Sequence, residues 1–444
     1  MPFDLIKEHE SYLFCTDLEP DDIQAQLQFF AHLQLLHSIE KETVKRTVGF
    51  VVGEGHAPLK CMRQERLIAQ YKAEGLINNN INSLIIEGYS TDFGPQQGFV
   101  KEGLEVLTQA EINQARASSR TNGETINKTI FEFISTHKKL LVVSLKPVVE
   151  LLQLHAQCPT IFAQSVFAGT GSFNFRATFP KKPFKAKYKE AWLYETAVQQ
   201  YNINLEKAQK KIITLIYSFK ETYIYETFTA TRIASTSELN AADFFTRVKA
   251  APRTSALGIL KVHIENWNEH LLGQKKADLP LTLQEISYIA KGKITESDIQ
   301  IILDNVYVKS YKTLATEAIQ NIYSALDKIK NTLGPNESMY VRLKRLVTKW
   351  KNMTEAGLQF VNADPGLIAA MTGACEEALE WKAVKLAFNG EHTTLIEPFS
   401  IKTLIFSYAP KGLSVEEIQK DDSLLKVASK QHFELALQAI NRKL

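Results

Sequence analysis

Four acidic side chains fall within six residues, directly after a short apolar run, Tyr12–Cys15. These acids are Asp17, Glu19, Asp21 and Asp22. Acids this close together repel one another, so a cationic group or solvent must compensate for them. A metal ion, the positive end of a helix dipole and solvent are the three options. Pro20 opens an apolar-periodic stretch and predicts a helix there, so on pattern alone the turn is either a solvated helix cap or a metal site.

The elements that must position this turn follow from the alternation of short apolar runs with amphipathic stretches up to residue 270, which is typical of parallel βαβ units. Strands are predicted near 11–16, 47–53, 82–87, 139–144, 161–168 and 222–228, and helices near 21–37, 57–74, 98–117, 123–136 and 146–155. We therefore predict an α/β fold with a doubly wound, mainly parallel sheet.

Ligands of such a sheet gather at the carboxyl ends of its strands, and the acidic turn lies at such an end. Four further polar or glycine-containing turns follow the next predicted strands. They are residues 53–56, 87–88, 144–147 and 169–171. Because all five turns meet at one edge of the sheet, their convergence favours a functional cleft over a solvated cap.

The second half of the chain changes character. Residues 281–358 read as helix after helix, and strand-like stretches return near 383–388, 394–398 and 401–407 before two closing helices. We predict an α/β core at 1–280, an all-helical insertion at 281–358, and a return to the core with C-terminal helices at 359–444. Residues 309–351 hold nine Lys and Arg against three acids, which indicates either a solvated helical face or a surface for an anionic partner. No nucleic-acid motif is present, so nucleic acid is not the expected partner.

Composition sets the remaining bounds. The chain has 444 residues, is 45% hydrophobic and 23% charged, and carries a net charge of +3, which is ordinary for a soluble globular protein and implies no partner by itself. Its four cysteines form no Cys-x-x-Cys pattern, which argues against a zinc site or a disulfide framework. The N-terminus lacks a signal-peptide pattern and no apolar run is long enough to span a membrane, so we expect a cytoplasmic protein. A bacterial protein delivered into a host cytoplasm would share these features.

Residues 178–190, which follow the fifth predicted strand, contain five lysines with Phe184 and Tyr188 between them. This segment is either a solvated surface loop or a lid that presents positive charge to a phosphate, with aromatic rings that stack on a base.

The acidic turn resembles the amino-terminal DxDxxxDD signature of the nucleoside hydrolases, which Asp17, Asp21 and Asp22 match. Four later stretches resemble the same family in the same order. Residues 51–54 resemble its strand ending in Gly-Asn, 140–151 its strand and GPLTN turn, 166–176 its MGGAFNVRG segment, and 363–365 its His-Asp-Pro turn. The resemblance spans residues 11–270 and 358–408, with the helical insertion between.

The resemblance implies a sheet of nucleoside hydrolase type and a calcium-dependent N-ribohydrolase of the inosine-uridine preferring kind. In that family's pattern, Asp17 binds Ca²⁺ and acts as general base on the attacking water. Asp22 and Asp364 are further calcium ligands, and the main-chain carbonyl of Pro147 supplies another oxygen. Asp21 holds ribose hydroxyls.

Several positions depart from the family's pattern. Cys15 replaces the first acid of the signature, Glu54 and Val148 replace asparagines, and Ala363 replaces the histidine associated with protonating the leaving base. Asn174 is kept at a position that can face the sugar. The metal-binding half therefore resembles the family, whereas the substrate half differs from it.

This division leads to a hypothesis about the substrate. The positive charges of Arg176, Lys185, Lys187 and Lys189 favour a 5′-phosphorylated nucleotide, a dinucleotide such as NAD, or an ADP-ribosyl or phosphoribosyl compound over a plain nucleoside. His56 is the candidate for a substitute catalytic acid. Two other classes stay open: a catalytically impaired metal-binding scaffold, and an interaction protein, such as a bacterial effector, whose helical insertion binds a protein partner.

Overall fold

The structure is a computed structural model of the 444-residue chain. It describes residues 4–39, 44–53, 56–90, 108–117, 121–146, 148–171, 205–226, 250–252, 255, 257–258, 260–262, 283–308, 314–355, 363–373, 380–383, 385–388, 393–396 and 403–407. The described part divides into two compact units, one made of the described residues within 1–97, 103–261 and 361–444, and the other of those within 262–360.

The first unit contains all the described strands. They are β1 (Ser11–Thr16), β2 (Arg46–Val52), β3 (Ile81–Glu87), β4 (Leu140–Ser144), β5 (Val166–Gly171), β6 (Glu221–Glu226), β7 (Glu380–Ala383), β8 (Lys385–Phe388), β9 (Thr393–Ile396) and β10 (Thr403–Ser407). Its helices are α1 (Pro20–Ile39), α2 (Ala57–Ala73), α3 (Gln109–Ala117), α4 (Gly123–Thr136), α5 (Val149–Gln157) and α6 (Leu205–Ser218).

Eight strands form one sheet in the order β3-β2-β1-β4-β5-β6-β10-β7. Every neighbouring pair is parallel except β10 and β7, which are antiparallel at the edge. Strands β8 and β9 form a separate antiparallel pair. The chain moves from β1 outward to β3, and then returns to β4 beside β1 before it moves outward in the other direction. The predicted α/β fold with a doubly wound, mainly parallel sheet is therefore confirmed.

The two faces of the sheet bury different sets of side chains because residues of β1 alternate in direction. Tyr12 and Phe14 contact Phe29 of α1, with ring centroids 4.9 and 4.6 Å apart. Leu13 and Cys15 belong to the core shared with α4, α5 and α6. All six residues of β1 are buried, which explains why its sequence reads as a continuous apolar run.

Two strand predictions were wrong. Residues 383–388, expected as one strand, are divided between β7 and β8. The fifth strand was expected to begin at 161, but β5 begins at Val166. Successive turns occupy the preceding residues, with Ala163 N–H donating to the Thr160 carbonyl at 3.1 Å and Ser165 N–H to the Phe162 carbonyl at 2.9 Å. Phe162 is fully buried in these turns, so its apolar character reflects packing and not strand pairing.

A helix after the second unit completes the first one. This helix, α11 (Ala363–Met371), packs against α1, β5 and β6. Leu5 N–H donates to the Met371 carbonyl at 2.8 Å and anchors the far end of this helix.

The second unit contains four described helices, α7 (Leu283–Ala290), α8 (Glu296–Val308), α9 (Thr316–Leu333) and α10 (Ser338–Glu355). They enclose their own core, in which Ile302, Ile322, Ile329 and Trp350 are fully buried. Within the described residues of the chain, no helix is long and apolar enough to cross a membrane.

Candidate metal centre

The acidic turn begins at the point where the sheet reverses its strand order. β1 lies between β2 and β4, and the chain passes from it in opposite directions on the two sides. Strand ends diverge at such a switch point and leave a crevice for ligands. Gly53 N–H bonds the Thr16 carbonyl at 3.2 Å and Leu145 N–H bonds the Cys15 carbonyl at 2.9 Å, so both neighbouring turns are tied to the end of β1.

The turn is organised around the carboxyl group of Asp22, in the first turn of α1. Thr16 Oγ1 donates a hydrogen bond to Asp22 Oδ1 at 2.5 Å, and Asp17 N–H donates to the same oxygen at 3.3 Å. These two bonds use Oδ1 and join the end of β1 to the first turn of α1. The second oxygen, Oδ2, is buried and has no hydrogen-bond partner among the described residues.

Carboxylate oxygens of Asp21, Asp22 and Asp364 lie within 4.8 Å of one another. Asp364 comes from α11, more than three hundred residues downstream, and the packing of α11 on α1 brings it here. The exposed fractions of the three side chains are 5%, 1% and 0%, and that of Asp17 is 8%. Four acids from two chain segments therefore share one buried volume.

Position 366 explains how α11 approaches this closely. A Cβ atom on Gly366 would lie 2.6 Å from Cε1 of Tyr225, which is in β6. Real Cβ atoms essentially never approach so closely, so glycine lets the first turn of α11 pack on the tyrosine ring. Asp364 is two residues earlier in the same turn.

The charged forms of the acids are strongly disfavoured in the absence of a cation. Burial, followed by repulsion from Asp17, raises the pKa of Asp21 to about 7. Burial and the charges of Asp17 and Asp21 raise the pKa of Asp22 well above its usual range. The pKa of Asp364 is raised well above its usual range by burial first, and then by the charges of Asp21, Asp22 and Asp17.

The donor set suits a hard cation. Both oxygens of Asp364, Oδ2 of Asp22 and Oδ1 of Asp17 are buried, and none has a hydrogen-bond partner among the described residues. A buried carboxylate oxygen without a partner is costly, since it has lost its hydration and gained nothing in return. Ca²⁺ and Mg²⁺ take oxygen ligands of this kind, whereas the site offers no thiolate or imidazole within its described residues that would favour zinc.

A buried ion pair lies on the β4 side of the same edge. Lys146 Nζ contacts Glu150 Oε1 at 2.6 Å and Oε2 at 2.7 Å, with both side chains almost fully buried. Tyr89 N–H donates to Glu150 Oε1 at 2.9 Å. A Cβ atom on Gly53 or Gly88 would lie 2.7 or 2.5 Å from that oxygen, so a side chain at either position would displace the Glu150 carboxyl group.

Cys15, which stands where the resembled signature has its first acid, is fully buried beside this ion pair. Burial raises the pKa of its thiol to about 12, with Lys146 lowering it and Glu150 raising it to a smaller extent. The side chain is therefore a neutral thiol at physiological pH. The position contributes no charge to the group of acids.

His56 is half-buried and stands immediately before α2, where its Nδ1 accepts a hydrogen bond from Leu59 N–H at 3.3 Å. It therefore caps that helix. A neutral imidazole in this geometry carries its proton on Nε2. The catalytic role predicted for His56 stays a prediction.

The other predicted site residues lie outside the described residues. They are Glu54, Pro147, Asn174, Arg176, Lys185, Lys187 and Lys189. Of the predicted set, the structure thus describes Asp17, Asp21, Asp22 and Asp364, which come together, and His56 at the start of α2.

Sequence reasoning missed five buried polar residues around the turn, namely Thr16, Lys60, Arg63, Lys146 and Glu150. The spacing of the basic residues carried a usable signal. Lys60 and Arg63 are three residues apart on α2 and so lie on one helical face. Lys146 precedes α5, and Glu150 is in the first turn of that helix. Their burial could not be read from the sequence, because charged residues on helices are mostly exposed.

No protein-family model and no curated protein matches the chain. The solved structure of the type III effector protein XopQ complexed with adenosine diphosphate ribose is 10% identical, with a TM-score of 0.41 over 97% of this chain and 96% of that one. A purine-preferring ribonucleoside hydrolase from Gardnerella vaginalis is 9% identical, with a TM-score of 0.40 over 95% and 99% of the two chains. An inosine-uridine preferring nucleoside hydrolase from Bacillus anthracis is 10% identical, with a TM-score of 0.38 over the same shares. These values assign the chain to no family.

Proposed function

We propose that the protein is a calcium-dependent N-ribohydrolase that cleaves the N-glycosidic bond of a 5′-phosphorylated nucleotide or an ADP-ribosyl compound. One observation carries the proposal: the oxygens of Asp364 and Oδ2 of Asp22 are buried, lie close to other carboxylates, and have no hydrogen-bond partner among the described residues. A divalent cation supplies the charge that such a group of acids needs. The switch point of the sheet is the place where a ligand of this fold class binds.

Asp17, Asp22 and Asp364 would hold the ion, together with the main-chain carbonyl of Pro147. A bound calcium ion would lower the pKa of a water molecule and hold it beneath the sugar. Asp17 has an unpaired oxygen, Oδ1, that can accept the proton of that water. Asp21 lies in the same group and has two roles open to it, as a ligand or as an acceptor for ribose hydroxyls.

The charge of the site also suits the reaction. Breaking an N-glycosidic bond builds positive charge on the ribose ring, as in an oxocarbenium ion. Carboxylates held beneath the ring stabilise that charge more than they stabilise the neutral ground state, which lowers the barrier. Their burial strengthens the effect, because water screens buried charges less.

The phosphate preference rests on residues outside the described part of the chain. Arg176, Lys185, Lys187 and Lys189 would bind the 5′-phosphate, and Glu54 and Asn174 would contact the ribose. His56 would protonate the leaving base through Nε2, since Nδ1 already accepts a bond from Leu59 N–H. These roles make the proposal specific enough to test.

The test combines calcium binding with turnover. Calcium titrations by calorimetry should show one site in the wild type that is lost in Asp22→Asn and Asp364→Asn. Asp327→Asn, which changes an exposed acid on α9, is the matched control and should bind normally. Release of base should require calcium, should be faster from 5′-nucleotides or ADP-ribosyl compounds than from nucleosides, and should vanish in Asp17→Asn.

Other results would change the conclusion in defined ways. Calcium binding without release of base from any of these compounds would favour the metal-binding scaffold, for which the alanine at position 363 is the supporting observation. Equal rates with nucleosides and 5′-nucleotides, unchanged when Lys185, Lys187 and Lys189 are replaced by Glu, would remove the phosphate preference. Absence of calcium binding would remove the proposal itself.

A further inference from the structure

The loop that follows β1 contains a non-glycine residue in the left-handed region. Leu18 has a φ of +59°, a conformation that side chains other than glycine rarely adopt. Its side chain is fully buried, so packing of the leucine stabilises a position in which its backbone conformation is unfavourable. Such a conformation persists only where surrounding contacts impose it.

The contacts around Leu18 are hydrogen bonds to all four backbone polar groups of Asp17 and Leu18. On one side, Asp17 N–H donates to Asp22 Oδ1 at 3.3 Å and Leu18 N–H donates to Thr16 Oγ1 at 3.2 Å. On the other side, Lys60 Nζ donates to the Asp17 carbonyl, and Arg63 Nη2 donates to the Leu18 carbonyl at 3.5 Å.

The two cations come from one face of α2, and both are almost completely buried, with exposed fractions of 3% for Lys60 and 1% for Arg63. A buried cation is destabilising unless negative or polar groups surround it. The acidic loop provides such groups. Both donors hold main-chain carbonyls, while Asp17 Oδ1, Asp22 Oδ2 and both Asp364 oxygens have no hydrogen-bond partner among the described residues.

We infer that Lys60 and Arg63 are positioning residues of the metal centre. They fix the peptide groups of Asp17 and Leu18 so that the carboxyl groups converge before a cation binds. The inference rests on the proposed function only in taking calcium as the ion. Lys60 and Arg63 fix the loop whether or not a metal is bound.

A purely electrostatic role and a positioning role of Lys60 predict opposite changes in calcium affinity for Lys60→Met, so this variant distinguishes them. If the ammonium acts only as a charge, its removal reduces repulsion of the incoming cation, and calcium binds more tightly. If it positions the loop, removal releases the Asp17 carbonyl and weakens calcium binding by about tenfold or more, as is common for residues that orient metal ligands. Lys60→Arg keeps both donor and charge and should restore most of the affinity.

Arg46→Met is the control for general destabilisation. Arg46 is also buried, but it begins β2 at the opposite edge of the sheet from the acidic loop. This variant should lower the melting temperature without changing calcium affinity. Arg63→Met serves as a second test of the same loop if Lys60→Met does not fold.

Two measurements on the full-length protein complete the experiment. Hydrogen exchange in EDTA reports on the amides of residues 16–22, which should exchange faster in Lys60→Met than in the wild type, in Lys60→Arg and in Arg46→Met. Calorimetric titration with calcium chloride reports the affinities. Unchanged loop exchange, or calcium binding by Lys60→Met as tight as wild type or tighter, overturns the inference. A wild type that binds no calcium overturns the proposed function instead, and the exchange data then decide the positioning role alone.

Discussion

Replacing Asp364 by Asn should make the metal-free protein more stable and abolish calcium binding. Asn has nearly the shape of Asp but carries no charge, so the change removes a repelling group from a buried volume shared with Asp21 and Asp22. A solvated or helix-capping acid would behave differently. Its replacement would lower stability, or leave it unchanged, in every buffer.

The size of the gain follows from the distances. Two full charges 4.8 Å apart repel by about 3.5 kcal/mol at the effective dielectric constant of about 20 that suits protein sites. The raised pKa of Asp364 means that part of this repulsion is already removed by bound protons at neutral pH. We therefore expect a gain of about 1–3 kcal/mol, growing as the pH rises from 5 to 9 and the wild-type acids ionise.

Differential scanning calorimetry is the assay of choice, because the two compact units can melt in separate transitions. In EDTA at pH 8, the transition of the α/β unit should rise by several degrees in Asp364→Asn. Calcium at one hundred times its dissociation constant should stabilise the wild type by about 2.7 kcal/mol and leave the variant unchanged. Asp327→Asn should match the wild type throughout. A variant that is less stable in EDTA, or that still responds to calcium, would refute the assignment of these acids to a metal centre.

Three further predictions concern pH, the buried Lys146–Glu150 ion pair, and packing at Gly366. Because the pKa of Asp21 is raised to about 7, the folded chain keeps a proton between pH 4 and 7 that the unfolded chain has already lost. The free energy of unfolding of the metal-free protein should therefore fall by up to about 4 kcal/mol as the pH rises from 4 to 7. Calcium affinity, measured by titration, should rise over the same range. Glu150→Gln should cost about 3–5 kcal/mol of stability in urea unfolding, because it removes the negative charge that balances the buried Lys146 ammonium. The double variant with Lys146→Met should recover much of the loss. Gly366→Ala should weaken calcium binding several-fold in titrations, since its Cβ would clash with Tyr225, and Tyr225→Leu in the same chain should relieve the effect.

The central strands and the position of the acidic turn could be predicted because both depend on local patterns. β1 is buried on both faces, so its sequence is continuously apolar, and Pro20 begins α1 where the periodicity indicated a helix. The start of β5 could not be predicted in the same way. Phe162 is as apolar as a strand residue, but it is buried in a turn, and a short apolar stretch does not distinguish these cases.

The interactions that shape the site were less accessible to sequence reasoning, because they join distant segments. Nothing near Asp364 in the sequence indicates that α11 packs on α1, and only the resemblance to a family pattern singled that residue out. The roles of Lys60 and Lys146 depend on burial of charged side chains, which a single sequence does not reveal. The close approach of Asp21 to the oxygens of Asp22 and Asp364 likewise depends on the packing of two helices.

The charge balance of the acidic turn is the strongest argument that it is a binding site and not a helix cap. A cap accepts hydrogen bonds from backbone N–H groups, and Asp22 Oδ1 accepts one from Asp17 N–H as well as one from the Thr16 hydroxyl. The buried cations beside the loop bond to its carbonyls. Four carboxylate oxygens of Asp17, Asp22 and Asp364 still have no hydrogen-bond partner among the described residues. Because the fold satisfies the backbone of this loop so completely, unpaired carboxylates in the same place are best explained by a cation that the chain itself does not supply.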